Sequence, residues 1–184
     1  MKFLAKALLA SSLVFGASSA LAQGVFVEPY LGIDFLGEYD LGNNNSDDYT
    51  SQFIGARAGY TGIAGLVFVG ADVMYGTGGT FTDLYGGSDR DIDSRTAVGV
   101  TAGVRLPLID AWVGYNFMDT FKFDGAISGT ADETEGSSVK FGVGLGFIPF
   151  VNVNLEYITF SDDEDGYDLD TTTYLLSVSL PLSI

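Results

Sequence analysis

The sequence has no cysteine and no histidine. Without cysteine there is no disulfide framework of the kind that staples small exported domains. Without either residue, Ser-His and Cys-His activation of a nucleophile is excluded. Basic residues are scarce as well: 8 Lys and Arg stand against 24 Asp and Glu, a formal charge of −16. Nucleic acid and anionic membrane surfaces are therefore poor partners. Beyond the first two dozen residues no apolar run approaches the ~20 residues of a membrane-crossing helix, so a helical inner-membrane protein is not expected. Proline, at 4 residues, is rare.

Glycine, at 25 residues, is plentiful, and 47% of the chain is hydrophobic with a mean hydropathy of +0.27. That apolar and aromatic content argues against a disordered acidic chain. The first 22 residues read as an export signal. Lys2 and Lys6 open it, residues 7–15 are mostly apolar, and Ser19-Ala20-Leu21-Ala22 ends in the small residues that signal peptidase accepts. The apolar run is too short to span a bilayer. Residues 1–22 are thus assigned to a signal peptide and 23–184 to one domain.

The mature chain is organised by alternation, clearest in residues 138–147. Val139, Phe141, Val143, Leu145 and Phe147 share one face, while Ser138, Lys140, Gly142, Gly144 and Gly146 share the other. A strand puts successive side chains on opposite faces. Seven further segments behave alike. Val27, Leu31, Ile33 and Phe35 oppose Glu28, Tyr30, Gly32 and Asp34. Ile54, Ala56, Ala58 and Tyr60 oppose Phe53, Gly55, Arg57 and Gly59. Odd-numbered residues from Val67 to Tyr75 oppose Phe68, Gly70, Asp72 and Met74, and even-numbered ones from Val98 to Leu106 oppose Gly99, Thr101, Gly103 and Arg105. Ala111, Val113, Tyr115 and Phe117 oppose Asp110, Trp112, Gly114, Asn116 and Met118. Val151, Val153, Leu155 and Tyr157 oppose Asn152, Asn154 and Glu156. Tyr174, Leu176, Val178, Leu180 and Leu182 oppose Thr173, Leu175, Ser177 and Ser179. Each segment is near the 9–11 residues a tilted strand needs to cross a bilayer.

The connections alternate too. Residues 61–65, 107–108 and 148–150 make tight turns, whereas 37–49, 76–94, 119–137 and 161–171 read as long polar loops that hold most of the acids. Short turns at one end and long loops at the other mark an outer-membrane barrel. The charges decide which face meets lipid. Glu28, Asp34, Asp72, Asp110 and Glu156, with Arg57, Arg105 and Lys140, all fall on the glycine-rich faces, and none falls on an apolar face. A soluble barrel of the lipocalin type would mix polar residues into its outer surface. Here the charged face belongs inside and the uncharged face against hydrocarbon. The expected fold is all-β: an eight-stranded antiparallel up-and-down transmembrane β-barrel. The eight charges are expected to fill and pin its lumen.

With leader, eight strands and long loops, the whole mature chain resembles the small OmpX/OmpA-type outer-membrane barrels. The Tyr30-Leu31-Gly32 opening and the alternating finish over 174–182 are the most family-like pieces. Two features depart from the pattern. The chain ends Pro181-Leu182-Ser183-Ile184 rather than on an aromatic residue, and Pro29 falls where a ladder donor is wanted. Strand one is accordingly expected to start at Tyr30 or to carry a bulge. The resemblance implies a place in the bacterial outer membrane, among its lipids and lipopolysaccharide. Enzymes of this barrel size rely on a histidine, so no catalytic residue and no cofactor are expected.

Loop residues 161–170, SDDEDGYDLD, suggest a calcium loop but fail as an EF-hand. Aligning Gly166 with the EF-hand glycine puts Ser161 at the first ligand position and Thr172 where the bidentate Glu belongs. Asp163, Asp165, Asp168 and Asp170 are left as weak divalent-cation candidates, bridging to lipopolysaccharide or other surfaces. The expected role is that of a monomeric structural or surface-interaction protein; the alternative is a narrow channel for small solutes. Three contacts are expected in the lumen. Arg105 meets Asp110 beside the 106–109 turn, Trp112 covers Gly103, and Lys140 reaches Glu156 diagonally.

Overall fold

The computed structural model describes residues 24–40, 46–84, 88–124, 133–148, 150–162 and 170–184. The leader lies outside the described residues, as do Asp163, Asp165 and Asp168. The chain forms β1 (Gly24–Asp40), β2 (Ser46–Gly62), β3 (Val67–Thr77), β4 (Thr80–Leu84), β5 (Ser88–Arg105), β6 (Ile109–Asp124), β7 (Glu133–Ile148), β8 (Val151–Asp162), β9 (Asp170–Ser179) and β10 (Leu182–Ser183). Each pairs antiparallel with its neighbour, and β1 also pairs β9, closing the ladder. β4 continues β3 after a break and, among the described residues, pairs with β5; β10 continues β9. The wall is therefore an eight-stranded barrel, whose closure leaves no strand edge in lipid.

The alternation sorts the side chains as the composition of the two faces requires. Leu31, Ile54, Val69, Val100 and Phe141 are among the most exposed residues of the wall, while their neighbours in sequence are covered inside. The lipid belt ends sharply. Above Ile54, Tyr75, Val98, Val139, Tyr157 and Tyr174 the next outward residues are Gln52, Thr77, Thr96, Ser137, Thr159 and Thr172. This change from apolar to hydroxyl and amide groups marks the outer face of the bilayer, with aromatic residues just beneath it.

The strands do not stop there. β1 runs to Asp40, β2 starts at Ser46, β6 runs to Asp124 and β7 starts at Glu133. The supposed loops are largely ladder, so the barrel stands out of the membrane. Beyond the belt both faces meet polar surroundings or an enclosed interior, and the apolar alternation that marks a lipid-facing strand is lost.

Two irregularities correct the expected register. On β6 the pairing slips between Val98↔Met118 and Gly99↔Asn116, so Phe117 and Met118 both face outward. Met118, expected in the lumen, is 44% exposed, and this bulge turns Asp119 inward. On β1 the strand runs unbroken through Pro29, which pairs with Ala56. The break lies in the partner: β9 ends at Ser179 and β10 resumes at Leu182. The missing N–H of Pro29 thus faces a gap around Leu180 and Pro181, and its carbonyl accepts from the Leu180 N–H at 3.0 Å.

Candidate functional site

The lumen is filled in layers. Near the short turns, Phe26, Phe68 and Trp112 pack together, with Phe26 and Phe68 edge to face at 5.6 Å. A second apolar group joins Tyr30, Phe53, Met74, Ala97, Ile158 and Leu175. A third, under the outer rim, joins Tyr49, Ile92, Phe121 and Phe160, with Phe123 against it. Side chains this large reach across the bore of an eight-stranded barrel.

A charged network threads the first two groups. Its hub is Arg57, with Nε 3.1 Å from Asp72, Nη2 3.5 Å from Glu156 and Nη1 3.6 Å from Glu28. The guanidinium also sits 4.4 Å over the Trp112 ring. Asp72 accepts from the Tyr30 hydroxyl at 2.6 Å and from the Lys140 ammonium at 2.7 Å. Glu28 takes Arg105 at 3.3 Å and the Ser179 hydroxyl at 2.6 Å. Arg105 in turn lies 3.4 Å from Asp110, and Asn152 donates to that same carboxylate at 3.2 Å. Seven of the eight charges assigned to the lumen from the sequence are joined here, and all are buried. The eighth, Asp34, is buried higher up, where it accepts from the Ser51 hydroxyl.

The contacts themselves need two corrections. Arg105 and Asp110 face each other across the ladder as expected, and Trp112 is inside. Gly103 is Trp112's ladder partner, yet it is covered by Phe68; the indole lies over Gly142 on the other neighbouring strand. Both glycines make room for a ring, and with Phe68 over Gly103 the indole lies toward β7. Lys140 passes over Glu156 and reaches Asp72 on β3, because its long stem crosses the lumen rather than following the wall.

Sequence reasoning missed a second ionic site. Arg95 grips Asp119 with two parallel bonds, Nε to Oδ1 at 2.9 Å and Nη2 to Oδ2 at 2.7 Å. The Ser138 hydroxyl donates to the same carboxylate at 2.7 Å, and Asn116 donates to Ser138 at 2.8 Å. Arg95 also lies 4.5 Å over the Phe121 ring. Counting inward positions back from Arg105 through Arg95 would have found the cation; the bulge at Met118 hid the acid. Of the divalent-cation candidates only Asp170 is described, at the start of β9 opposite Ser161 and Asp40. Among the described residues no group of three or more potential metal ligands converges.

The family model for the outer membrane protein beta-barrel domain matches residues 7–180. The chain belongs to that family. Its members are bacterial outer-membrane barrels, which places this one in the outer membrane, as the lipid belt requires. Comparison with curated proteins found no match. Among solved structures, Ail of Yersinia pestis superposes with a TM-score of 0.59 at 11% identity, covering 88% of this chain and all of that one (100%). Neisserial surface protein A gives 0.52 at 15%, covering 85% and 96%. OprG of Pseudomonas aeruginosa gives 0.51 at 8%, covering 90% and 99%. At these identities the likeness speaks for the barrel alone.

Proposed function

We propose that this family member is a closed structural barrel that carries an acidic rim above the outer leaflet for contact with surrounding surfaces. The observation behind this reading is the filled lumen: three apolar groups alternate with ionic networks in which nearly every charge has a partner. An ion crossing the bore would have to displace aromatic rings and buried ion pairs together. The sequence has no histidine or cysteine, and the lumen carboxylates other than Asp34 are held by Arg57, Lys140, Arg105 and Arg95, an arrangement that supports a structural rather than an acid–base role.

The outer rim sets the class of partner. Asp91, Asp93, Glu135 and Asp170 are exposed there, and the exposed Lys122 is already paired with Glu133 at 3.3 Å. Ail of Yersinia pestis has been crystallised with the heparin analogue sucrose octasulfate. An acidic rim repels such a polyanion, so neutral or cationic surfaces are the expected contacts here. Planar-bilayer recording with refolded protein is the direct test. No steady conductance is expected; reproducible unitary steps from the intact barrel would establish a channel instead.

A further inference from the structure

The short-turn end of the barrel, which faces the periplasm in this architecture, is built from residues that water does not suit. Along Ile63, Ala64 and Gly65 the backbone is left-handed, with φ of +48°, +56° and +76°. The Leu66 N–H donates to the Ile63 carbonyl at 3.1 Å. A tight hairpin of this hand ordinarily takes Asn-Gly or Asp-Gly, and a β-branched residue such as Ile63 is an outlier there. Phe150, between β7 and β8, is likewise left-handed at +68°. Ile63 is nevertheless 74% exposed and Phe150 58%. The third turn exposes Leu106, Pro107, Leu108 and Ile109 in succession, a run that a water-facing turn avoids. No Asp, Glu, Lys, Arg or Asn occurs in 61–66, 106–109 or 148–150. The charges that flank the third turn, Arg105 and Asp110, are buried and paired inside.

The height of the lipid belt fixes where these turns lie. Its outer edge is the change from Tyr75, Val98 and Tyr174 to Thr77, Thr96 and Thr172. From those three apolar residues to the opposite ends of their outward rows, Val67, Leu106 and Leu182, is eight residue steps each. At about 3.3 Å per step and a tilt of about 35–45°, eight steps rise about 19–22 Å. The apolar band of an outer-membrane barrel is about 25 Å tall. The strands therefore run out about 3–6 Å before the hydrocarbon does, and the turns occupy that interval.

We propose that the three short turns, through Ile63, Leu108 and Phe150, seat in the hydrocarbon of the inner leaflet, where phospholipid acyl chains and not a water-soluble partner cover them. The surface is continuous with the lipid belt: exposed Val67 leads to exposed Leu66, and exposed Val104 to Leu106 and Leu108, with no polar girdle between. Burial of these tips in hydrocarbon offsets the left-handed strain that glycine or asparagine would avoid. Because the turns carry no charge, they engage chains rather than head groups, and anionic and zwitterionic phospholipids are equivalent partners. This surface lies at the opposite end of the barrel from the acidic rim, and it holds whether or not the bore conducts.

The test uses the native barrel in phosphatidylcholine nanodiscs, with the amide resonances of Ile63, Leu108 and Phe150 read against that of Asp91 on the outer rim. A lipid carrying a doxyl group high on its acyl chain should broaden the three turn amides more than Asp91. A water-soluble gadolinium chelate should do the reverse, acting at least twofold more strongly at Asp91. Equal broadening of Ile63, Phe150 and Asp91 by the chelate would overturn the placement and leave the turns in water, open to a periplasmic protein. A stability measurement adds a second arm. In water, Ile63→Asn and Phe150→Asn would each ease a left-handed residue and raise the urea midpoint. In hydrocarbon each loses apolar burial and gains an amide without partners, which lowers it. The lowered midpoint is expected in phosphatidylcholine vesicles, and equally after phosphatidylglycerol is added. A raised or unchanged midpoint, or a loss confined to the anionic vesicles, would also overturn the proposal.

Discussion

The Arg95–Asp119 pair offers the sharpest test of the lumen's construction, because it has two members and both are buried, at 2% and 0% exposure. Two parallel charge-assisted bonds are the strongest form of this contact. At ~4 Å between charge centres and an effective dielectric constant of about 20, the attraction is about 4 kcal/mol. Burying two ions costs a comparable amount, so the pair as a whole adds little net stability. Removing one member is different. Among the described residues, Arg95→Met leaves Asp119 with the Ser138 hydroxyl, and Asp119→Leu leaves Arg95 with the Phe121 ring and the Asp34 carboxylate of the same layer. Each single change should cost about 3–5 kcal/mol, whereas the double variant, which places two apolar side chains in the same space, should cost less than either. Urea unfolding from lipid vesicles would read this directly. With a slope of about 1–3 kcal/mol per molar urea, each single variant should lower the midpoint by on the order of 1–5 M. A double variant equal to the sum of the singles would mean that the two residues do not meet, and that Asp119 faces solvent as an unbulged β6 would place it.

The same lumen makes two further predictions. Trp112 is the chain's single tryptophan and packs inside, so brominated lipids should leave its fluorescence intact; they should quench it in Trp112→Phe/Met118→Trp, where the ring sits on the lipid face. Quenching of the native tryptophan would shift the whole β6 register by one residue. For Lys140, the energetic partner should be Asp72 and not Glu156. Lys140→Met should destabilise by about 3 kcal/mol, with strong coupling to Asp72→Asn and simple additivity with Glu156→Gln; the reverse pattern in a double-mutant cycle would restore the diagonal wall contact.

The two faces of the wall were legible because lipid imposes a one-sided rule. A charge on the hydrocarbon face costs a few kcal/mol, so Glu28, Arg57, Asp72, Arg105, Asp110, Lys140 and Glu156 could only point inward once the strands were drawn. Ladder neighbours were legible for the same reason: a tight turn at 106–108 fixes the register, and register alone brings Arg105 opposite Asp110. The wall above the belt was not legible. There the outward residues become Gln52, Thr77 and Thr96, and a polar strand looks like a polar loop when hydrophobic contrast is the only guide.

Contacts across the bore fail for a different reason. Sequence spacing along a hairpin measures position on the wall, and the lumen connects strands that the wall keeps apart. Lys140 on β7 and Asp72 on β3 are not neighbours in the sheet, yet they stand 2.7 Å apart because a lysine stem is long enough to cross a bore this narrow. Trp112 faced glycine on both sides, Gly103 on β5 and Gly142 on β7, so pairing alone could not say which one the ring would cover. Phe68 decides it from a third strand by occupying the space over Gly103. The interior of a small barrel is thus solved by volume. Each large side chain excludes the others from one sector, and the ion pairs form between whichever charged ends are left facing one another.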